Sequence, residues 1–184
     1  MDLKLVTSNL QKLEEFKRLL GNKDLQAFQG KDLREVASDD PVEVAKYKCI
    51  EAGVGSVVED TVLEINGDVV TDIRYRLSEL ESRLAPAQLS WMTTLAVNLG
   101  DTIKVYQGCI EGEFKCCHSV PENAFGFDPY FVPFGSEKTL HELSESGQKD
   151  TYSARKVAIN FLLADMPKET ISIDSIPEWD GDWQ

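Results

Sequence analysis

The segment that most constrains the fold is the first. Leu3, Leu5 and Val6 make a short strand-like apolar run, Thr7-Ser8-Asn9 interrupts it, and Leu10, Leu13, Phe16 and Leu20 then recur at helical spacing as far as Gly21. A strand that passes through a polar turn into an amphipathic helix points the free N–H groups of the first helical turn past the strand's end, where they suit an anion. A second helix is announced by Asp40-Pro41-Val42-Glu43, a capping residue followed by proline at the first helical position, and it runs through Val44, Ala45, Lys48 and Ala52 to Gly53. Strands alternating with capped helices imply an α/β fold. At 184 residues, 42% of them hydrophobic, the chain is expected to form one domain over residues 1–184.

Further along, Val57-Val58 leads into Glu59-Asp60-Thr61, and Val62, Leu63 and Ile65 continue in extended style. Arg74 to Ala85 carry Leu77, Leu80 and Leu84 on one side and are expected to be helical. Trp91–Leu99, Ile103–Tyr106 and Cys109–Phe114 read as strands, punctuated by Gly108 and Gly112. A loop region covers 121–136, and a helix is expected from about Ser153 to Ala164. The acidic tail from about Pro167 ends Glu178-Trp179-Asp180-Gly181-Asp182-Trp183-Gln184 and is expected to be partly loose.

Composition removes several classes of function. No apolar run approaches the ~18–20 residues of a membrane span, and the first residues carry neither a basic region nor a long apolar stretch, so neither a membrane nor a secretory route is expected. Nineteen basic against 32 acidic residues give a net charge of −13, which repels a polyanion and makes nucleic acid a poor partner. An anionic small substrate then needs a local basic cluster or a bridging metal. Cys49, Cys109, Cys116 and Cys117 form no disulfide framework. Cys116-Cys117-His118 lacks the second ligand pair of a structural zinc site, and reduced thiols in a cytoplasmic protein are the simpler account.

Four segments carry candidate chemistry. Thr7, Ser8 and Asn9 at a helix start, with Lys12 one turn in, can hold phosphate oxygens; they can equally be a helix cap with Lys12 paired to Glu15. The carboxylates of Glu59-Asp60-Thr61 follow an apolar pair and so sit near a strand end, a rigid mount for Mg²⁺, with Asp60 also able to orient and deprotonate a water. Glu35 offers another ligand from a loop, although an acidic turn is the plainer alternative. Phe125-Gly126-Phe127-Asp128-Pro129 combines a flat aromatic surface, close backbone access and a carboxylate, and base stacking on such a surface contributes ~1–3 kcal/mol. A buried strand ending at a proline turn would look similar. Lys149, Ser153 and Arg155 at the start of the last helix can grip an anion or a base carbonyl, or merely begin a capped helix whose cations oppose its dipole.

In this order the segments resemble the inosine triphosphate pyrophosphatase family, over roughly residues 3–165 and most weakly between 66 and 100. The resemblance rests on Thr7-x-Asn9-x-x-Lys12-x-x-Glu15, Glu59-Asp60-Thr61 and Phe125-Gly126-Phe127-Asp128-Pro129 in series, and Lys48-Cys49-Ile50-Glu51-Ala52 resembles its eukaryotic branch. It implies an elongated mixed β-sheet with flanking helices, two lobes around a central cleft, a homodimer, and Mg²⁺-dependent cleavage of nucleoside triphosphates to monophosphate and pyrophosphate. By the same resemblance, Thr7, Ser8, Asn9, Lys12 and Lys48 hold the triphosphate and Thr61 also binds substrate, with Lys12 and Asp60 catalytic. Glu35 and Asp60 bind the metal. Phe125 stacks on the base, Gly126, Phe127 and Asp128 complete its pocket, and Lys149, Ser153 and Arg155 grip the base and sugar side.

Two departures stand out. The family has histidine where this chain has Ala154, which removes a donor to the purine 6-oxo group. A Gly-Gly-x-Pro-Gly loop is replaced by Asn66-Gly67-Asp68-Val69-Val70-Thr71-Asp72. They leave two alternatives beside the main reading: a pyrophosphatase of altered base specificity, and a nucleotide-binding protein that has lost turnover.

Overall fold

Asn9 converts the opening polar turn into a helix start: its side-chain carbonyl accepts hydrogen bonds from the N–H groups of Gln11 and Lys12. Asp40 does the same for the second helix through Val42 N–H at 2.8 Å. The computed structural model describes residues 3–21, 25–70 and 73–183, which places Thr71 and Asp72 outside the described residues. Its elements are β1 (Lys4–Thr7), α1 (Leu10–Leu20), β2 (Gln26–Gln29), α2 (Pro41–Ala52), β3 (Ser56–Ile65), β4 (Asp68–Val70), α3 (Leu77–Glu81), β5 (Gln88–Asn98), β6 (Thr102–Phe114), β7 (Phe131–Pro133), α4 (Leu140–Glu145), α5 (Ala154–Leu163) and β8 (Glu169–Ser172). Strand pairing follows the order β2-β1-β3-β5-β6-β7, with β4 on β3 and β8 on β6. The fold is a mixed α/β one, an open sheet with flanking helices.

The chain divides into two compact units, one of residues 1–61, 93–108 and 156–184, the other of 62–92 and 109–155. In the first, β1 pairs in parallel with β2 on one side and β3 on the other. Side-chain alternation then sorts the core. Val57, Leu95 and Val97 pack with Phe16 and Leu20 of α1 and Ile159 of α5, whereas Val58 and Ala96 pack with Ala45 and Cys49 of α2. Helices cover both faces, which explains why these strands read as continuous apolar runs.

The tail belongs to this unit and is docked. β8 pairs antiparallel with β6, Ala37 N–H donates to the Asp182 carbonyl at 2.9 Å, and the Trp179 ring lies edge-on to Tyr47 with centroids 5.2 Å apart. The expectation of a loose tail is corrected: its aromatic and β-branched residues cover α2 and extend the sheet.

In the second unit, α3 and α4 supply Leu80, Leu140 and Leu143 to a core with Leu63, Leu89, Trp91, Phe114 and Phe131. The helix expected over 74–85 is shortened to a 3-10 turn at 73–76 and α3. Leu84 is fully exposed while Leu80 is buried, so the apolar spacing that suggested a longer helix does not mark one face. Ile103–Tyr106 and Cys109–Phe114 are one strand, β6, which Gly108 does not break. Asn66 and Gly67 both take positive φ and close a two-residue hairpin between β3 and β4.

Candidate active site

β1 and β2 are adjacent parallel strands, and the connection that leaves β1 runs through α1 on one face while the one that leaves β2 runs through α2 on the other, so a topological switch point lies at their carboxyl ends. A cavity of about 200 Å³ lies there, lined by Thr7, Ser8, Asn9, Lys12, Glu35, Lys48 and Glu59 among others. Alternation along β3 sends Glu59 to the α1 face and Asp60 to the α2 face. Lys12 of α1 accordingly reaches Glu59, Nζ to Oε2 at 2.7 Å, and not Glu15 as local helix spacing suggested. Lys48 of α2 donates to Glu35 Oε1 at 2.5 Å and to the Glu59 carbonyl at 3.2 Å. Thr61 donates to Glu59, and Ser8 Oγ donates to Asp32 at 3.1 Å.

The electrostatics tie these groups together. Burial pushes the Asp60 carboxyl up to about 6, with the Lys48 charge pulling the other way, Glu59 and Glu35 pushing it further, and Lys12 pulling it back. Three carboxylates crowd one region and two lysines only partly balance them. Such a set of hard oxygen donors fits a divalent cation such as Mg²⁺.

The second unit builds a different surface. Phe125 and Asp128 flank a tight turn, Asp128 N–H donating to the Phe125 carbonyl at 3.0 Å, and Gly126 between them sits at φ 51, with open space where a side chain would project. Asp128 is buried and accepts from Lys149 Nζ at 2.5 Å. The same ammonium stands 5.5 Å from the Trp91 ring centre and 5.8 Å from that of Phe125. Phe127 meets Trp91 edge-on, centroids 5.7 Å apart. Ser153 and Arg155 are buried, and the Arg155 guanidinium lies 5.9 Å from the Trp91 ring, a cation–π contact that offsets its unfavourable place at a helix start.

Residues 3–67 and 66–165 match the profile of the Ham1 family. The chain belongs to that family. The match confirms the resemblance drawn from the motifs. Among similar proteins, the dITP/XTP pyrophosphatase of Korarchaeum cryptofilum is 28% identical over 168 residues, covering 81% of this chain and 87% of its own. That of Aliarcobacter butzleri is 25% identical over 199 residues, covering 89% and 96%. A HAM1 protein structure from Coxiella burnetii superposes with a TM-score of 0.68 at 24% identity, over 89% of this chain and 98% of that one, and supports the fold.

The motif residues of this Ham1 chain thus fall into two sets. Thr7, Ser8, Asn9, Lys12, Glu35, Lys48, Asp60 and Thr61 gather in the first unit, and Phe125, Gly126, Phe127, Asp128, Lys149, Ser153 and Arg155 in the second. The helix-cap and phosphate readings of Asn9 coexist, since its carbonyl oxygen caps α1 and its amide nitrogen still carries two donors. Sequence reasoning missed one contact and one residue. Glu59, only 3% exposed, holds Lys12, and a strict period of two along β3 was the signal for it. Trp91 underlies both Lys149 and Arg155, and nothing in its local sequence separates it from an ordinary core tryptophan. Its buried indole N–H has no hydrogen-bond partner among the described residues. Ala154 is fully buried in the same apolar cluster as Trp91.

Proposed function

We propose that this Ham1-family chain is a nucleoside triphosphate pyrophosphatase that hydrolyses non-canonical purine nucleoside triphosphates to the monophosphate and pyrophosphate, with Mg²⁺ as cofactor. The activity of the named relatives supports the reading. The observation that carries it is the set of lysines and carboxylates gathered at the β1–α1 switch point.

In that set the two lysines are held by Glu59 and Glu35, so the site is preorganised with opposite charges already adjacent. A triphosphate takes over Lys12 and Lys48, aided by the Thr7 and Ser8 hydroxyls, Thr61 and the α1 N-terminus. The carboxylates so released are Glu35 and Glu59, and Glu35 together with Asp60 fits the cation. When bound, Mg²⁺ supplies Lewis acidity and charge neutralisation at the phosphates. Asp60 orients the attacking water and accepts its proton. The water oxygen bonds to the α-phosphorus, the bond from that phosphorus to the α–β bridging oxygen breaks, and pyrophosphate leaves with its charge held by Lys12 and Lys48. In the second set, Phe125 stacks on the base, Asp128 and Lys149 meet its polar edge, and Ser153 and Arg155 complete the grip.

A pyrophosphatase of altered base preference is the second reading, favoured by Ala154 lying sealed in an apolar cluster where the resemblance expects histidine. A reducing cytoplasmic setting is proposed with it, in accord with four free thiols, and so is a homodimer. No helix among the described residues is long and apolar enough to cross a membrane. The test is pyrophosphate release from dITP, XTP and the ordinary triphosphates with Mg²⁺. Release fastest from dITP or XTP supports the main reading, and a preference for another base supports the second. A triphosphate that raises the melting temperature without yielding a monophosphate overturns both.

A further inference from the structure

Cys116-Cys117-His118 takes no part in the chemistry above, and sequence alone offers it no third ligand from elsewhere in the chain. The fold supplies one. Glu81, the last residue of α3, brings its Oε1 to 3.2 Å from Cys116 Sγ, and that sulfur lies 3.6 Å from each ring nitrogen of His118. One ligand atom from each of the three residues falls within 4.8 Å of the others. With metal–sulfur and metal–nitrogen bonds of about 2.3 and 2.0 Å, neighbouring ligands around a tetrahedral zinc stand about 3.5 Å apart. The two observed separations bracket that value before any ion has drawn the ligands in.

We propose that Glu81, Cys116 and His118 form a transition-metal site that takes Zn²⁺ or a similar borderline ion, with its fourth position open to water. Thiolate and imidazole select such an ion over Mg²⁺, which prefers an all-oxygen shell, so this site is chemically separate from the carboxylate cluster of the first unit. The anchoring is already built. Leu80, next to Glu81, is buried, and Cys116 packs against the apolar core of the second unit, while Glu81 and His118 are exposed and reachable from solvent. Cys117 is turned elsewhere, its thiol donating to the Ser119 carbonyl, and is not a ligand. On binding, the Cys116 thiol releases its proton to solvent, the sulfur bonds to the ion, and the ion replaces the Cys116–Glu81 hydrogen bond. The metal ties the segment that leaves β6 for the Phe125 turn to the end of α3.

The full chain, reduced with a non-thiol reductant and held in excess Mg²⁺, is titrated with Co²⁺ and then Zn²⁺. One equivalent of Co²⁺ is expected to give a near-ultraviolet thiolate charge-transfer band and the strong visible bands of a four-coordinate ion, both bleached by Zn²⁺. Cys116→Ser is expected to abolish the charge-transfer band. His118→Ala and Glu81→Gln are each expected to weaken binding at least about tenfold, the lower end of what even outer-shell changes do at metal sites. Cys117→Ser is expected to bind as the parent does. His118 and Glu81 are exposed, so those two variants remain informative if Cys116→Ser folds poorly. The absence of a charge-transfer band, its survival in His118→Ala at full affinity, or its loss in Cys117→Ser overturns the assignment.

Discussion

Replacing Asp60 by asparagine is expected to stabilise the metal-free protein at neutral pH while abolishing hydrolysis. In the folded state burial lifts the Asp60 carboxyl from its ordinary 3.8 to about 6. A group whose folded-state value is raised binds its proton more tightly when folded. Its favourable contribution is therefore fully present below pH ~3.8 and is lost as the pH rises through about 6. Ionising Asp60 in the metal-free protein thus costs about 3 kcal/mol at pH 7.5, at 1.36 kcal/mol for each unit. The introduced amide carries no charge at any pH and escapes that cost. Urea unfolding in EDTA, compared between parent and Asp60→Asn from pH 4 to 8, is expected to show the variant gaining roughly 2.4 kcal/mol across that range, or about 5–10 °C in Tm. Other titrating groups are common to both proteins and largely cancel. Mg²⁺ is expected to raise the stability of the parent more than that of the variant. A difference that does not change with pH, or a variant less stable at pH 7.5, would refute the reasoning.

Three further outcomes follow from particular contacts. Lys12→Met is expected to lower kcat/KM at least about 100-fold, the usual scale for losing one preorganised charge-stabilising group, and the loss is read by steady-state pyrophosphate release. Gly112→Ala is expected to destabilise the protein by about 3 kcal/mol, since an added Cβ would stand 2.2 Å from the Val132 carbonyl and 2.9 Å from Pro133 Cα, backbone that cannot yield without unpairing β7 from β6; urea unfolding checks it. Ala154→His is expected to cost about 1–3 kcal/mol in the same assay and to give no gain on inosine triphosphate, because the position is sealed in the core beside Trp91 rather than open to a ligand.

What was legible in the sequence was what local chemistry decides. The caps at Asn9 and Asp40, the apolar spacing of Leu13, Phe16 and Leu20, and the glycines that end α1 and α2 all act within one turn, and those elements fall where expected. The motif residues lie in two sets, one beside the carboxyl end of β1 and one about the turn from Phe125 to Asp128. The failures are matters of tertiary context. The tail gains its order from β6 and α2, partners far removed along the chain, which its acidic composition does not announce. β2 is held by β1 and shows no alternation of its own. Glu59 and Asp60 are adjacent acids, and only the helices above and below β3 give them different neighbours. Glu81 meets Cys116 across 35 residues through the packing of α3, which no spacing rule encodes.

Hydrolysis of dITP or XTP in oxygen-18 water, with both products examined by mass spectrometry, tests the proposed attack on the α-phosphorus most directly. The account predicts one heavy oxygen in the nucleoside monophosphate and none in the pyrophosphate. Label in the pyrophosphate, or orthophosphate as the first product, would contradict it.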